Sequence, residues 1–150
     1  MKSYTEKYSV ILFITSIFLT MATHGNDKTY SPARVVFNVS SANIKLLNHT
    51  LDRASLLQNI YNNDPISTSI VIVIHGNAIP SFTHIKQQNH QLINRAKDLS
   101  MSDIIEFRLC AASARMHGLH KSDFSGFINI IPMADAEIIE LQNSGYAYIN

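Results

Sequence analysis

The stretch Ser69-Ile70-Val71-Ile72-Val73-Ile74-His75 limits the fold of this chain more than any other. Every residue from Ile70 to Ile74 is apolar and branched at Cβ, which stiffens χ1 and suits a pleated strand. A strand with one face in water alternates apolar and polar residues. This one does not alternate, so both of its faces must be covered. Parallel sheets meet that demand, because each crossover lays a helix against the sheet. Gly76 marks the end of the run.

The remaining segments supply the other parts of such a sheet. Arg34 to Val39 is a short β-branched run after Pro32. A helical pattern follows, with Leu51, Ala54, Leu57, Ile60 and Tyr61 on one face, and it stops at Asn62-Asn63-Asp64-Pro65. Residues 85–99 give a second helix with Ile85, Leu92, Ile93, Ala96 and Leu99 facing inward. A strand is predicted over residues 103–109, then a helix from Cys110 to His117 closed by Gly118. Phe127 to Ile131 is a further strand, ended by Pro132. The last helix starts near Asp135, a suitable cap, and closes at Gly145, and Tyr146 to Ile149 forms a short final strand. Alternating strands and helices with short connections predict an α/β fold. We expect a three-layer, Rossmann-like or flavodoxin-like open parallel sheet of about five strands with helices on both faces.

This domain is expected to span residues 34–150. Ahead of it, Lys2 and Lys7 precede an apolar run from Val10 to Met21, and small Ala22 follows with Thr20 two positions earlier. That is the pattern of a secretory signal over residues 1–22, with residues 23–33 as a linker. The run is shorter than the roughly 20 residues of a bilayer-spanning helix. Export, to a bacterial periplasm, is the expected location, with an uncleaved N-terminal membrane anchor as the alternative. Losing Lys2, Glu6 and Lys7 would take the formal charge from +1 to zero, which argues against a nucleic-acid partner or a membrane contact beyond the signal.

In open α/β sheets ligands bind beyond the carboxyl ends of the strands. Four segments fall there: Ser40-Ser41, His75-Gly76-Asn77, Cys110 and Pro132-Met133. Cys110 is the one cysteine, so it has no partner within the chain for a disulfide. Its place at a strand-to-helix junction would favour the thiolate, the nucleophilic form, with Arg115 able to add positive charge, and Arg108 too unless its alternation with Phe107 and Leu109 points it elsewhere. A free cysteine also packs well as a small buried hydrophobe, and both readings stay open on spacing alone. His75 is the best candidate for a second polar group near the thiol, with a histidine that merely ends its strand as the plainer reading.

Several other chemistries lack support. The segment after the first strand, Asn38-Val39-Ser40-Ser41-Ala42, has no glycine, and no phosphate loop occurs, so no nucleotide or nicotinamide cofactor is expected. There is no G-x-S-x-G elbow. Seven histidines invite a metal, but His117 and His120 are split by Gly118 and no zinc spacing appears, so no metal site is expected.

The segment Leu109-Cys110-Ala111-Ala112-Ser113-Ala114-Arg115-Met116-His117-Gly118-Leu119 resembles the cysteine segment of the DsrE/DsrF-like family of sulfur-trafficking proteins. The ending is similar too: Pro132, Glu137-Ile138, Leu141-Gln142 and Gly145-Tyr146-Ala147-Tyr148 fall in matching order, and His75-Gly76 follows a long apolar strand. The resemblance implies a three-layer α/β fold assembled into trimers or hexamers. It also implies a cysteine, Cys110 by position, that carries sulfur as a persulfide between a donor and an acceptor protein. The alternative is an oligomeric small-ligand-binding module in which Cys110 only packs. Leu119, Phe124, Phe127, Tyr146 and Tyr148 are the apolar residues expected at an assembly interface.

Overall fold

The computed structural model describes residues 29–150 except Asn62. The signal at 1–22 and the first part of the linker lie outside the described residues. Five parallel strands form one sheet: β1 (Arg34–Val39), β2 (Ser69–Ile74), β3 (Ile105–Cys110), β4 (Ile128–Ile131) and β5 (Ala147–Ile149). Their order is β4-β3-β2-β1-β5, with Val36 of β1 opposite Val71 of β2 and Cys110 of β3 opposite Ile131 of β4. The helices are α1 (Ile44–Ile60), α2 (His90–Ser100), α3 (Ala111–Met116) and α4 (Ala134–Asn143).

This order fixes where the helices go. From β1 to β4 the chain steps one way across the sheet, so right-handed crossovers put α1, α2 and α3 on the same face, here called the front. The step from β4 to β5 runs back across the whole sheet, which puts α4 on the rear. Side-chain alternation agrees. Phe37, Ile70, Ile72, Phe107 and Leu109 meet Leu47, Leu51, Ala54, Leu92 and Ala96 in the front layer. Val36, Val71, Val73, Cys110 and Ile131 lie under Ala134, Ile138 and Leu141 on the rear. The apolar segment at 70–74 is therefore buried on both sides, with each of its residues at most 1 % exposed.

Local chemistry sets the element ends. Asn43 caps α1 by accepting from the Lys45 N–H at 2.9 Å. Gly145 adopts φ +88°, and the Tyr146 N–H reaches the Leu141 carbonyl at 3.0 Å, which closes α4.

Several expected details differ. α2 begins at His90, and Ile85 is 62 % exposed. The buried Asn89 amide donates to the carbonyls of Pro80 and Thr83, at 2.8 and 3.1 Å, and these bonds break the helical path. A 3-10 segment (Gly76–Phe82) that periodicity did not suggest follows β2. Ile60 of α1 is exposed, and the buried stripe is Leu47-Leu51-Ala54. Met133, not Asp135, is the residue before α4, and Asp135 sits in the first turn. β3 begins at Ile105, because Asp103 turns with φ +57°.

Candidate functional site

Cys110 ends β3 and is also the N-cap residue of α3. Its neighbour β4 ends at Ile131 and leads through Pro132-Met133 into α4. The chain leaving β3 goes to the front and the chain leaving β4 goes to the rear. Adjacent strands whose exits diverge open a crevice between them, and this is the switch point where α/β sheets place ligands. The thiol stands at that crevice.

Polar groups converge on its sulfur. The Ser113 N–H donates to Cys110 Sγ at 3.4 Å. The Pro132 carbonyl lies 4.0 Å from Sγ and accepts from the Ala112 N–H at 3.2 Å, which ties the two exits together. Burial at 3 % exposure pushes the thiol up, but the Ser113 hydroxyl and the N–H groups of Ser113, Ala134 and Ala112 outweigh that effect. The thiol is therefore held below its ordinary value. Ser113 belongs to α3, so its N–H bond to the sulfur caps that helix, and Ala134, which opens α4, lies in the same buried cluster as Cys110.

A charged network flanks the sulfur on the rear face. Arg108, two residues before Cys110 and on its face of β3, pairs with Glu137 of α4, and with Glu106 at 2.6 Å. Asn129 of β4 donates to Glu106 at 2.7 Å. Desolvation pushes the Glu106 carboxyl up, but the bonds from Arg108 and Asn129 hold it below the usual range. The two carboxylates and bonds raise the Arg108 guanidinium against the effect of burial. Glu106 did not stand out in the sequence, and Glu137 did so only as part of the matching C-terminal ending. Arg108 alternates with Phe107 and Leu109, and that alternation is the one signal that it faces the rear with Cys110.

The structure brings Pro132 to Cys110 but not the other candidates. His75 turns away from β3: Asn38 Oδ1 accepts from its Nε2 at 2.6 Å, and Asn38 in turn donates to Tyr148 OH at 2.8 Å. Ser40 and Ser41 line a cavity of about 180 Å³ with His49, Arg53 and Asn150, which Cys110 does not line. Gly76, at φ +53°, packs by the Ser40 backbone, and its carbonyl is 3.0 Å from His117 Nε2. Asn77 is exposed in the 3-10 segment. Arg115 is exposed and rims a separate cavity of about 230 Å³ floored by Ala111, Ala114, Phe124 and Ile130. The expected single cleft is thus divided between the β3–β4 end and the β1–β5 end. Among the described residues, no three histidine, cysteine or acidic side chains come together as metal ligands.

The fold and site define an open parallel α/β domain with one thiol at its topological switch point. The profile of the DsrE/DsrF-like family matches residues 17–150, and the chain belongs to that family. A solved structure of a protein of unknown function from Methanobacterium thermoautotrophicum has the same fold. It shares 18 % sequence identity, with a TM-score of 0.63, over 78 % of this chain and 97 % of the other. No curated protein matches the chain significantly.

Proposed function

We propose that this protein handles sulfur through Cys110. Membership of the DsrE/DsrF-like family suggests a role of the sulfur-relay type. The observation that carries the reading to this residue is its place as the N-cap of α3 at the β3–β4 crevice, where the Ser113 N–H donates to Sγ at 3.4 Å. Such donors favour the thiolate, and the thiolate is the attacking species. Sγ attacks the outer sulfur of a donor persulfide. A new S–S bond forms on Cys110 as the donor's S–S bond breaks, and the donor departs as a thiolate with the electron pair. The acceptor's thiolate then attacks the same outer sulfur, and Cys110 leaves as the thiolate. No external oxidant or reductant enters either step.

Incubation with glutathione persulfide should add the mass of one sulfur atom to the native protein and not to Cys110→Ser. An unmodified native protein overturns the proposal. One observation favours the rival binding-module reading: Cys110 is 3 % exposed and lines none of the cavities described above. The two readings separate on alkylation of the folded protein near neutral pH, which is rapid for a carrier thiol and absent for a packing one.

Assembly into homo-oligomers forms part of the proposal. Phe124 and Phe127 do not support it, since Phe124 is buried and Phe127 meets Phe107 edge-on at 5.6 Å. Exposed Ile44, Leu46, Leu56 and Ile60 on α1 do. Light scattering that gives a monomer at micromolar concentration counts against it. We also propose export, on the basic and apolar pattern of residues 1–22. A retained N-terminal Met1 on protein isolated from the cell envelope would contradict cleavage. Among the described residues, no helix is long and apolar enough to cross a membrane.

A further inference from the structure

The front layer of the sheet thins toward β4. Helices α1 and α2 have 17 and 11 residues, but α3 has only 6. The residues it presents to the space above β4 are small: Ala111 and Ala114, three positions apart and so on one side of the helix. Two methyl groups do not fill the room over Ile130, and the chain that follows walls it with Leu119 and Phe124 rather than closing it. What remains is the cavity of about 230 Å³ that Arg115 rims. An apolar cavity of roughly 150 Å³ is enough to hold benzene. This one therefore has room for an aromatic ring or a branched chain that carries a small polar group.

The charged groups of this cavity stand at its mouth and have one sign. Ala114 and Phe124 of the floor are buried, whereas Arg115, His120 and Lys121 are exposed. Among the described residues, no acidic side chain lines the cavity. Asp123, close by in sequence, turns its carboxylate to the His120 N–H, from which it accepts at 2.7 Å. Arg95 and Arg108 each pair with a carboxylate, but among the described residues Arg115 and Lys121 have no ion pair. A guanidinium fork matches a carboxylate through two parallel hydrogen bonds. Apolar walls with a few polar groups at one end are the usual make-up of a small-molecule site.

We propose that this cavity is a binding site for a small apolar carboxylate, an aromatic or branched-chain acid anion. The carboxylate pairs with Arg115, Lys121 adds charge at the mouth, and the apolar body lies on Ala111, Ala114, Phe124 and Ile130. A neutral ligand would leave the cations unmatched, and a bare inorganic anion would leave the floor in water, so both parts of the ligand are needed. The floor belongs to the front cluster and the thiol to the rear one, so the site stands whether or not Cys110 carries sulfur.

The test is titration of the full chain with phenylacetate, followed by two-dimensional amide NMR, with Tm measured alongside. Saturable shifts should be centred on residues 111–130, with a Kd of about 0.1–1 mM for a ligand of so few atoms. Phenylacetamide has the same shape without the charge and should bind about tenfold more weakly. Acetate, which lacks the ring, should not saturate. Arg115→Gln should raise the phenylacetate Kd about tenfold, and Arg115→Lys, which keeps the charge but not the fork, should fall between it and the wild type. Should either variant fail to fold, the comparison of the three ligands on the wild type decides. No saturation by about 10 mM phenylacetate overturns the proposal. So does equal binding of phenylacetamide, an unchanged Kd in folded Arg115→Gln, or shifts centred instead on the cavity of Ser40 and Arg53. None of these outcomes bears on the sulfur reading, which stands or falls on Cys110.

Discussion

The front and rear faces of this sheet are built by different means. The front is a continuous apolar layer under three helices, with Phe37, Phe107 and Ile72 at most 1 % exposed. Among the described residues, the rear has a single helix, over a narrow apolar strip. That strip is flanked by polar clusters: Arg108-Glu106-Asn129-Glu137 on one side and His75-Asn38-Tyr148 on the other. Burial on the front is non-directional, so it stabilises without fixing any one atom. The hydrogen bonds of the rear are directional, and those of Arg108 tie β3, the strand that ends at Cys110, to α4. Stability and chemistry are divided between the two sides of one sheet.

Substitutions on each side should break the comparison if it is wrong. Phe107→Ala on the front should cost about 3–5 kcal/mol in urea unfolding, as large-to-small changes at filled sites do. Arg108→Met on the rear should cost roughly 1–2 kcal/mol, since two half-buried carboxylates lose their partner. Glu106 is held below its ordinary value in the folded protein, so that contribution is full above the usual carboxylate range and fades as pH falls. The gap between wild type and Arg108→Met should therefore narrow below about pH 4. An equal cost for the Phe107 and Arg108 substitutions would erase the distinction between the faces.

Cys110→Ala should cost about 1 kcal/mol at neutral pH. The native thiol is depressed, so thiolate stabilisation appears as pH rises through its folded value and is complete above the ordinary thiol value. The wild type should gain on Cys110→Ala in denaturation as pH is raised from neutral, and a flat difference contradicts the donor arrangement. Tyr148→Phe should have the smallest effect, about 0.5 kcal/mol, because its bond to Asn38 is exposed.

Much of the front was legible in the sequence. Branched apolar runs identified β1 and β2, and helical spacing placed Leu51 and Ala54 against them. The start of α2 was misplaced because Ile85 continues the helical period, while the bonds that end it come from Asn89 folding back on Pro80 and Thr83. At the site, the strand-end rule found Cys110 and Pro132. It put His75 beside the thiol because both stand at the carboxyl ends of strands. Alternation gives the face of the sheet but not the direction along it, and His75 turned toward β1. The Arg108–Glu137 pair spans 29 residues, beyond the reach of any local pattern.

The sheet order has a consequence for how the molecule is assembled. β5 pairs with β1, yet Asn38 and Tyr148 are 110 residues apart in sequence. Strands β1 to β4 each find their neighbour after one crossover. The outer edge of β1 has to wait for a strand of three residues to return across the whole rear face. Its free N–H and C=O groups are therefore the last in the sheet to be satisfied and the first to open again. In native-state amide exchange, β5 and the outer edge of β1 should open as a unit of low stability, separate from β2 and β3.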